Sequence, residues 1–251
     1  MGSASVVGPI RSLLTGLEMA NTQAVTLIAN VIARAGRIGD TTLITPQFVL
    51  DALNVGQSEI VLRVPRQIDM DTTDETTYTL STDDLSFDIT TLDPAHIGGI
   101  WILNDGDTRR KGLQYMPLPQ FRKNFVPVSE QSPDEPWIYS RQGNTILFNV
   151  PVSSAYNGLK LKIDYTKKAT EFPNITSTAT SELSNSNNVL TFFALATCFD
   201  AMASSVPRFT TNALKAWADY EKWLLRYRDD NEMKLEGLYG DLDGAYNEGA
   251  C

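Results

Sequence analysis

TPQFVLDALNVGQSEIVLRVP, residues 45–65, decides the fold, because the spacing of apolar residues changes at its end. Thr45 can cap a helix, and Pro46 suits the first helical position, where its missing N–H removes no hydrogen bond. Val49, Leu53, Gly56, Ile60 and Val64 recur at spacings of three and four, with Phe48, Ala52 and Val55 beside them. Asp51, Gln57, Glu59 and Arg63 fall outside that stripe. Pro65 ends the helix. From Arg66 the period becomes two, so this helix carries the chain from a helical layer into a β layer.

Upstream, Thr22 to Ala35 reads as a helix with Ala24, Leu27 or Ile28, Val31 and Ala35 on one face, closed by Gly36 as a left-handed C-cap. The short connection RIGDTTLI makes the two helices an antiparallel hairpin. Before them, Ile10, Leu13, Leu14 and Leu17 give residues 1–21 at most a short amphipathic turn, and the segment reads as an arm.

Downstream, residues 66–172 alternate. QIDMD, TYTL and SFDIT are short strands separated by turn-like clusters, and HIGGIWILND is an apolar strand closed by Asn104-Asp105-Gly106. KGLQYMPL is its return strand and LPQFRKNF a single helical turn. PWIYSRQGNTILFNVP is a hairpin turning at Arg141 to Asn144, and in NGLKLKIDYTKK the residues Leu159, Leu161, Ile163 and Tyr165 share one face. About seven short antiparallel strands of this kind suggest a small sandwich or barrel.

Residues 173–187 are small and polar and read as a linker or exposed loop. Val189 to Val206 is apolar nearly all round, which implies a helix buried on several sides or against a neighbouring copy. Pro207 breaks it. From Thr211 to about Tyr227 a further helix places Ala213, Trp217, Tyr220, Leu224 and Tyr227 at heptad spacing. Residues 229–251 carry seven carboxylates against one lysine, and with four glycines they read as an acidic tail rather than a long helix. Yet Leu235, Leu238, Tyr239, Leu242 and Tyr246 are too apolar for a solubility tag, so the tail suits a segment that folds on a partner.

The expected fold class is therefore α+β. N- and C-terminal helix hairpins, 22–65 plus 188–228, form a bundle into which a small antiparallel β-sandwich or barrel, 66–172, is inserted.

A net charge of −9 disfavours nucleic-acid or anionic-membrane binding through a basic patch. No run approaches the ~20 apolar residues of a membrane span, and no signal peptide is legible. Cys198 and Cys251 form no spacing motif, which favours a reducing compartment and gives no metal site.

Catalytic signals are weak. His96, the one histidine, follows Asp93-Pro94 in an expected turn and has no partner imidazole, and no phosphate loop or serine elbow occurs. Asp83-Asp84, Asp105/Asp107, Asp134-Glu135 and Asp229-Asp230 lie in turn-like or solvated contexts, where carboxylates make poor general acids. Asn104, Asp105 and Asp107 lack the spacing of a calcium loop. Arg109-Arg110-Lys111 reads as a solvated loop or a partner contact. No catalytic residue, cofactor or metal is assigned.

The order of LNVGQSEIVLRVP, LDPAHIGGIWIL, PWIYSRQGNTILFNVP and GLKLKIDYTKK resembles the tailed-phage head-to-tail adaptor family, especially that of short-tailed phages. The motifs stand at Leu53 to Ile60, Pro136 to Pro151 and Leu159 to Tyr165, within residues 22–172. The resemblance implies a virion structural protein at the head–tail junction, made in the host cytoplasm and not an enzyme. Its implied form is a homo-oligomeric ring, commonly of twelve copies. That ring would contact the portal protein and the tail nozzle or other tail proteins, pass double-stranded DNA without specific binding, and touch no membrane.

With that reading, Phe192, Phe193, Phe199, Trp217, Tyr220, Trp223 and Tyr227 become the expected subunit interface. Leu235, Leu238, Tyr239, Leu242 and Tyr246 become the anchors of a tail that binds the portal or a neighbour. Two other readings compete. A virion-associated cell-wall glycosidase would turn over peptidoglycan, and a β-sandwich carbohydrate-binding module would need an exposed aromatic platform, for which Trp137 and Tyr139 are the candidates although their strand pattern favours the core.

Overall fold

The computed structural model describes residues 21–36, 42–64, 70–74, 77–103, 109–125 and 127–246, with the backbone alone at 109–110 and 234–246. Helices α1 (Ala24–Arg34) and α2 (Pro46–Arg63) precede eight strands, and α4 (Asn187–Ser205) and α5 (Thr210–Tyr246) follow them. The eight-residue helix α3 (Leu118–Phe125) lies among the strands, about two turns rather than the single turn expected.

Helix α2 begins as its sequence demands. Thr45 Oγ1 accepts from the Phe48 N–H at 3.1 Å, and Pro46 occupies the first turn. Two residues depart from the expected stripe. Gln57 is buried, whereas Val55 is exposed. Gly36 adopts the left-handed backbone expected of a residue that closes α1. Helices α1, α2, α4 and α5 share one hydrophobic cluster, in which Leu27, Val31, Leu53, Ile60, Leu190 and Ala194 are buried.

The strands form two four-stranded sheets, neither of which closes on itself. The first has the order β1 (Asp71–Asp74), β8 (Leu161–Lys167), β3 (Pro94–Leu103), β4 (Arg109–Gly112), all antiparallel. The second has the order β2 (Ser86–Asp88), β7 (Thr145–Phe148), β6 (Ile138–Gln142), β5 (Gln114–Tyr115), with β5 parallel to β6. KGLQYMPL is therefore divided between two sheets, and TYTL contributes only an isolated bridge from Thr79 to Lys160. Ile100, Ile102, Leu161 and Ile163 of the first sheet and Tyr139, Ile146 and Phe148 of the second share a second hydrophobic cluster. The molecule is thus α+β.

The second glycine of HIGGIWIL has a steric cause. A Cβ at Gly99 would meet the Trp101 ring, and one at Gly112 on the neighbouring strand would stand 3.0 Å from the indole nitrogen. The register of β3 against β8 shifts twice in the same stretch. His96 lies in this strand rather than in a turn, and its Nε2 is 3.0 Å from the Val61 carbonyl oxygen. That carbonyl belongs to the last turn of α2, whose C=O groups lack intrahelical partners, so the ring joins the end of the helix to the sheet.

Residues 173–186 contain no helix or strand, since α4 already begins at Asn187, and they are not a free loop. Ser177, Ser181, Leu183 and Ser186 are buried, Gln23 bridges Thr180, and Ala24 N–H donates to the Ala179 carbonyl at 2.9 Å. Small side chains allow this segment to lie close against the start of α1.

The acidic C-terminal residues also differ from expectation. Helix α5 continues through Gly237, Gly240 and Gly244 to Tyr246. Each interior glycine disfavours a helix by about 1 kcal/mol, but the packed half of α5 already supplies the nucleus, so extension adds residues without a new nucleation step.

Candidate functional site: the aromatic face of α4 and α5

Helix α4 alone among the described helices is long and apolar enough to cross a membrane, which the sequence reading had denied to any run. Half of its apolar stretch is buried inside the fold, against α1, α2 and α5. Its apolar character therefore has a local cause. Phe193 sits where α2, α4 and α5 meet. Its ring meets Trp217 at 5.6 Å and Tyr220 at 5.3 Å, both edge-on, and Trp217 meets Tyr220 at 5.7 Å. Gly56 of α2 makes the approach possible, because a Cβ there would lie 2.9 Å from the Phe193 ring.

The expected interface residues consequently divide into two groups. Phe193, Tyr220 and Tyr227 are buried within the chain. Phe192, Phe199, Trp217 and Trp223 are only partly buried. Phe192 stacks on Trp223 at 6.5 Å with the Arg34 guanidinium 5.9 Å from its ring, and Arg226 lies 4.8 Å over Trp223. Trp217 Nε1 donates to Asp200 at 2.7 Å. These four rings pack on the edge of the helical core, with cations beside Phe192 and Trp223, a composition suited to protein contact.

Electrostatics around this surface fasten helices together. Arg63 at the end of α2 donates to both oxygens of Glu221 on α5, at 2.6 and 2.8 Å. The pair holds the Glu221 carboxyl below its ordinary range and raises the guanidinium. Burial pushes the Tyr220 hydroxyl and the Cys198 thiol each up to about 12.

Beyond the rings, the first turn of α4 and α5 enclose a groove of about 630 Å³. Asn185, Asn187 and Val189 line one wall, and Trp223, Arg226, Tyr227, Asp229, Asp230 and Met233 line the other. The heptad series of α5 continues past Tyr227 to Asn231, buried, whose side chain donates to the Tyr227 carbonyl at 2.9 Å. Spacing alone could have revealed Asn231, but its polarity hid it.

Leu235, Leu238, Tyr239, Leu242 and Tyr246 fall on the helical backbone of α5, and their side chains lie outside the described residues. Asn104, Asp105 and Asp107 lie outside them too. Asp84 accepts from the Ser81 N–H in a turn, and Asp134 accepts from the Glu135 N–H. Asp229 and Asp230 are exposed on α5. Lys111 is on strand β4, not in a loop, and pairs with Glu135 at 3.3 Å. Among the described residues no cluster of three or more His, Cys, Asp or Glu could hold a metal. Tyr139 is buried, but Trp137 is 45 % exposed and edge-on to Phe125 at 6.3 Å, so the pair does not share one fate.

Against this geometry stands a comparison with protein families. The family model described as SU10 adaptor protein matches residues 22–233, most of the chain. The chain belongs to the SU10 adaptor protein family. It is thus a phage head-to-tail adaptor, a structural protein of the virion at the head–tail junction that associates with portal and tail proteins. The match opens on Thr22 and closes on Met233, so it takes in α4, the packed part of α5 and the groove. No curated protein matches the chain.

Proposed function

We propose that this adaptor forms a ring, of twelve copies, bound under the portal and receiving the tail nozzle, with double-stranded DNA passing through it unbound. Residues 22–65 and 188–228 act as one helical domain, 66–172 as a β domain inserted into it, and the whole serves assembly rather than catalysis. The carrying observation is the aromatic surface of Phe192, Phe199, Trp217 and Trp223, which the intrachain core covers only in part. Neighbouring copies would close over that surface, since exposed apolar patches of this kind mark protein contacts.

The C-terminal part of α5, with Leu235, Leu238, Tyr239, Leu242 and Tyr246, is the portal-docking segment. Each apolar side chain buried there would return about 1.5–3 kcal/mol, and the carboxylates would select a basic site on the portal. Co-sedimentation with purified portal rings tests this. Full-length protein should pellet with the portal, and a variant ending at residue 234 should remain in the supernatant while its circular dichroism loses only the helical signal of the deleted end of α5. Equal pelleting of both proteins would remove the docking role from this segment.

A further inference from the structure

A closed ring of identical chains needs two different faces on each copy, because a face that meets itself makes a two-fold dimer and stops there. The rings of Phe192, Phe199 and Trp223 supply one face. A second apolar face stands on α2 and α5. Val55 and Leu62 of α2 lie seven residues apart, on the side of that helix turned away from the buried Leu53 and Ile60. Leu214 and Leu225 of α5 lie eleven residues apart, so three turns of helix return them to one stripe. All four are exposed, from 49 % at Leu225 to 67 % at Leu214. The Arg63–Glu221 pair joins the two helices between them, since Leu62 adjoins Arg63 and Leu225 stands one turn beyond Glu221.

We propose that this aliphatic patch is the second half of the contact between copies, and that the arginine-edged rings Phe192, Phe199 and Trp223 of the next chain seat on it. The inference rests on the ring reading and assigns the face that reading leaves open. Its first support is position. Trp223 and Leu225 are two residues apart, so about 200° of helical turn separates them and the two faces lie on opposite flanks of α5. The same division runs along α4, where Phe192 and Phe199 share one stripe while Phe193, about 100° round the helix, turns to Gly56 of α2. Faces on opposite flanks let each copy add to the next.

The second support is charge. Arg34 lies 5.9 Å from the Phe192 ring, Arg226 lies 4.8 Å over Trp223, and Arg208 lies 5.1 Å over Phe209, which stacks on Phe199. On the other flank, the charged residues of α2 are Asp51, Glu59 and Arg63, and Glu221 already holds the arginine. Asp51 stands one turn before Val55 and Glu59 one turn after it. Carboxylates thus frame the aliphatic side chains as guanidinium groups frame the rings, which favours the unlike pairing and opposes either face meeting itself.

Filling of purified portal rings by the adaptor, followed by native mass spectrometry over a concentration series, tests the assignment. Val55→Asp combined with Leu62→Asp alters two exposed side chains and should need at least about tenfold more protein than the parent to fill the portal. Leu214→Asp combined with Leu225→Asp reads the same face from α5 and should lose as much. Arg34→Glu combined with Arg226→Glu, on the opposite flank, should also weaken filling. An equimolar mixture of this arginine variant with the Val55, Leu62 variant should fill the portal at a lower total concentration than either alone, because in alternating order every second contact joins two intact faces. Parent-like filling by both aspartate variants, or a mixture no better than its components, overturns the assignment and leaves the ring reading standing. Portal rings that take up parent chains singly, without cooperativity, overturn both.

Discussion

Ser181 Oγ donates a 2.8 Å hydrogen bond to Gln57 Oε1, joining the middle of α2 to a loop 124 residues later, with both side chains buried. The Gln57 amide also donates to the Thr170 carbonyl at 3.2 Å, and Asn54, one turn earlier, clasps the backbone of Phe172 through both its donor and its acceptor. Asn54 and Gln57 of α2 thus clamp two stretches of the one segment that returns from the β region to α4. Gln57→Ala would take the acceptor from the buried Ser181 hydroxyl, which would keep only the Leu183 N–H it accepts, and a donor from the Thr170 carbonyl, an expected loss of about 1–3 kcal/mol in urea unfolding. An unchanged midpoint would show that water replaces the amide and that the clamp has no energetic role.

A second expectation concerns Gly56. In most helices Gly→Ala stabilises by up to about 1 kcal/mol. Here the added methyl would press on the Phe193 ring, which Trp217 and Tyr220 hold from the other side. Overpacking of this kind costs about 1–3 kcal/mol, so Gly56→Ala should lower the melting temperature. Phe193→Leu in the same chain should recover part of the loss, since it gives the methyl room. A stabilised Gly56→Ala protein would contradict the packing described.

The Arg63–Glu221 pair predicts a pH signature. Because the folded Glu221 carboxyl sits below its ordinary value of about 4.3, the pair's contribution is present above that pH and is lost as pH falls through the lower folded value. Both side chains are about half exposed, so the contribution is under about 1 kcal/mol. Glu221→Gln should therefore differ from the parent protein at pH 7 and converge with it toward pH 3. A difference that persists undiminished at pH 3 would show that the substitution acts through packing instead.

Cys198 offers a probe of the α4 interior. It is fully buried, with a thiol pushed up to about 12, so almost no thiolate exists at pH 8. In a Cys251→Ser background, Ellman's reagent should label it only at the rate at which α4 opens, and denaturant should accelerate labelling by orders of magnitude. Rapid labelling of the native protein would mean that α4 is not held on the sides described.

Where local chemistry decides structure, the sequence was readable. Thr45, Pro46 and Gly36 delimit helices by their own backbone preferences, and the β6–β7 hairpin stands where expected, although its turn is only Gly143-Asn144 and Arg141 and Gln142 belong to β6. Other features depend on distant partners. Gln57 looks solvent-facing until Ser181 and Thr170 are placed beside it, and His96 looks like a turn residue until the end of α2 offers it a carbonyl. The small residues of 173–187 signal flexibility by composition, but they are what lets that segment lie against α1. The surface rings were named together from spacing. Which of them the chain keeps inside depended on Gly56, a residue whose meaning is the absence of a side chain.

The central claim is assembly on the portal, and native mass spectrometry of the adaptor mixed with purified portal rings measures it most directly. The account predicts one complex whose mass equals the portal ring plus twelve adaptor chains. A spectrum showing free portal rings and adaptor monomers at every ratio would contradict it.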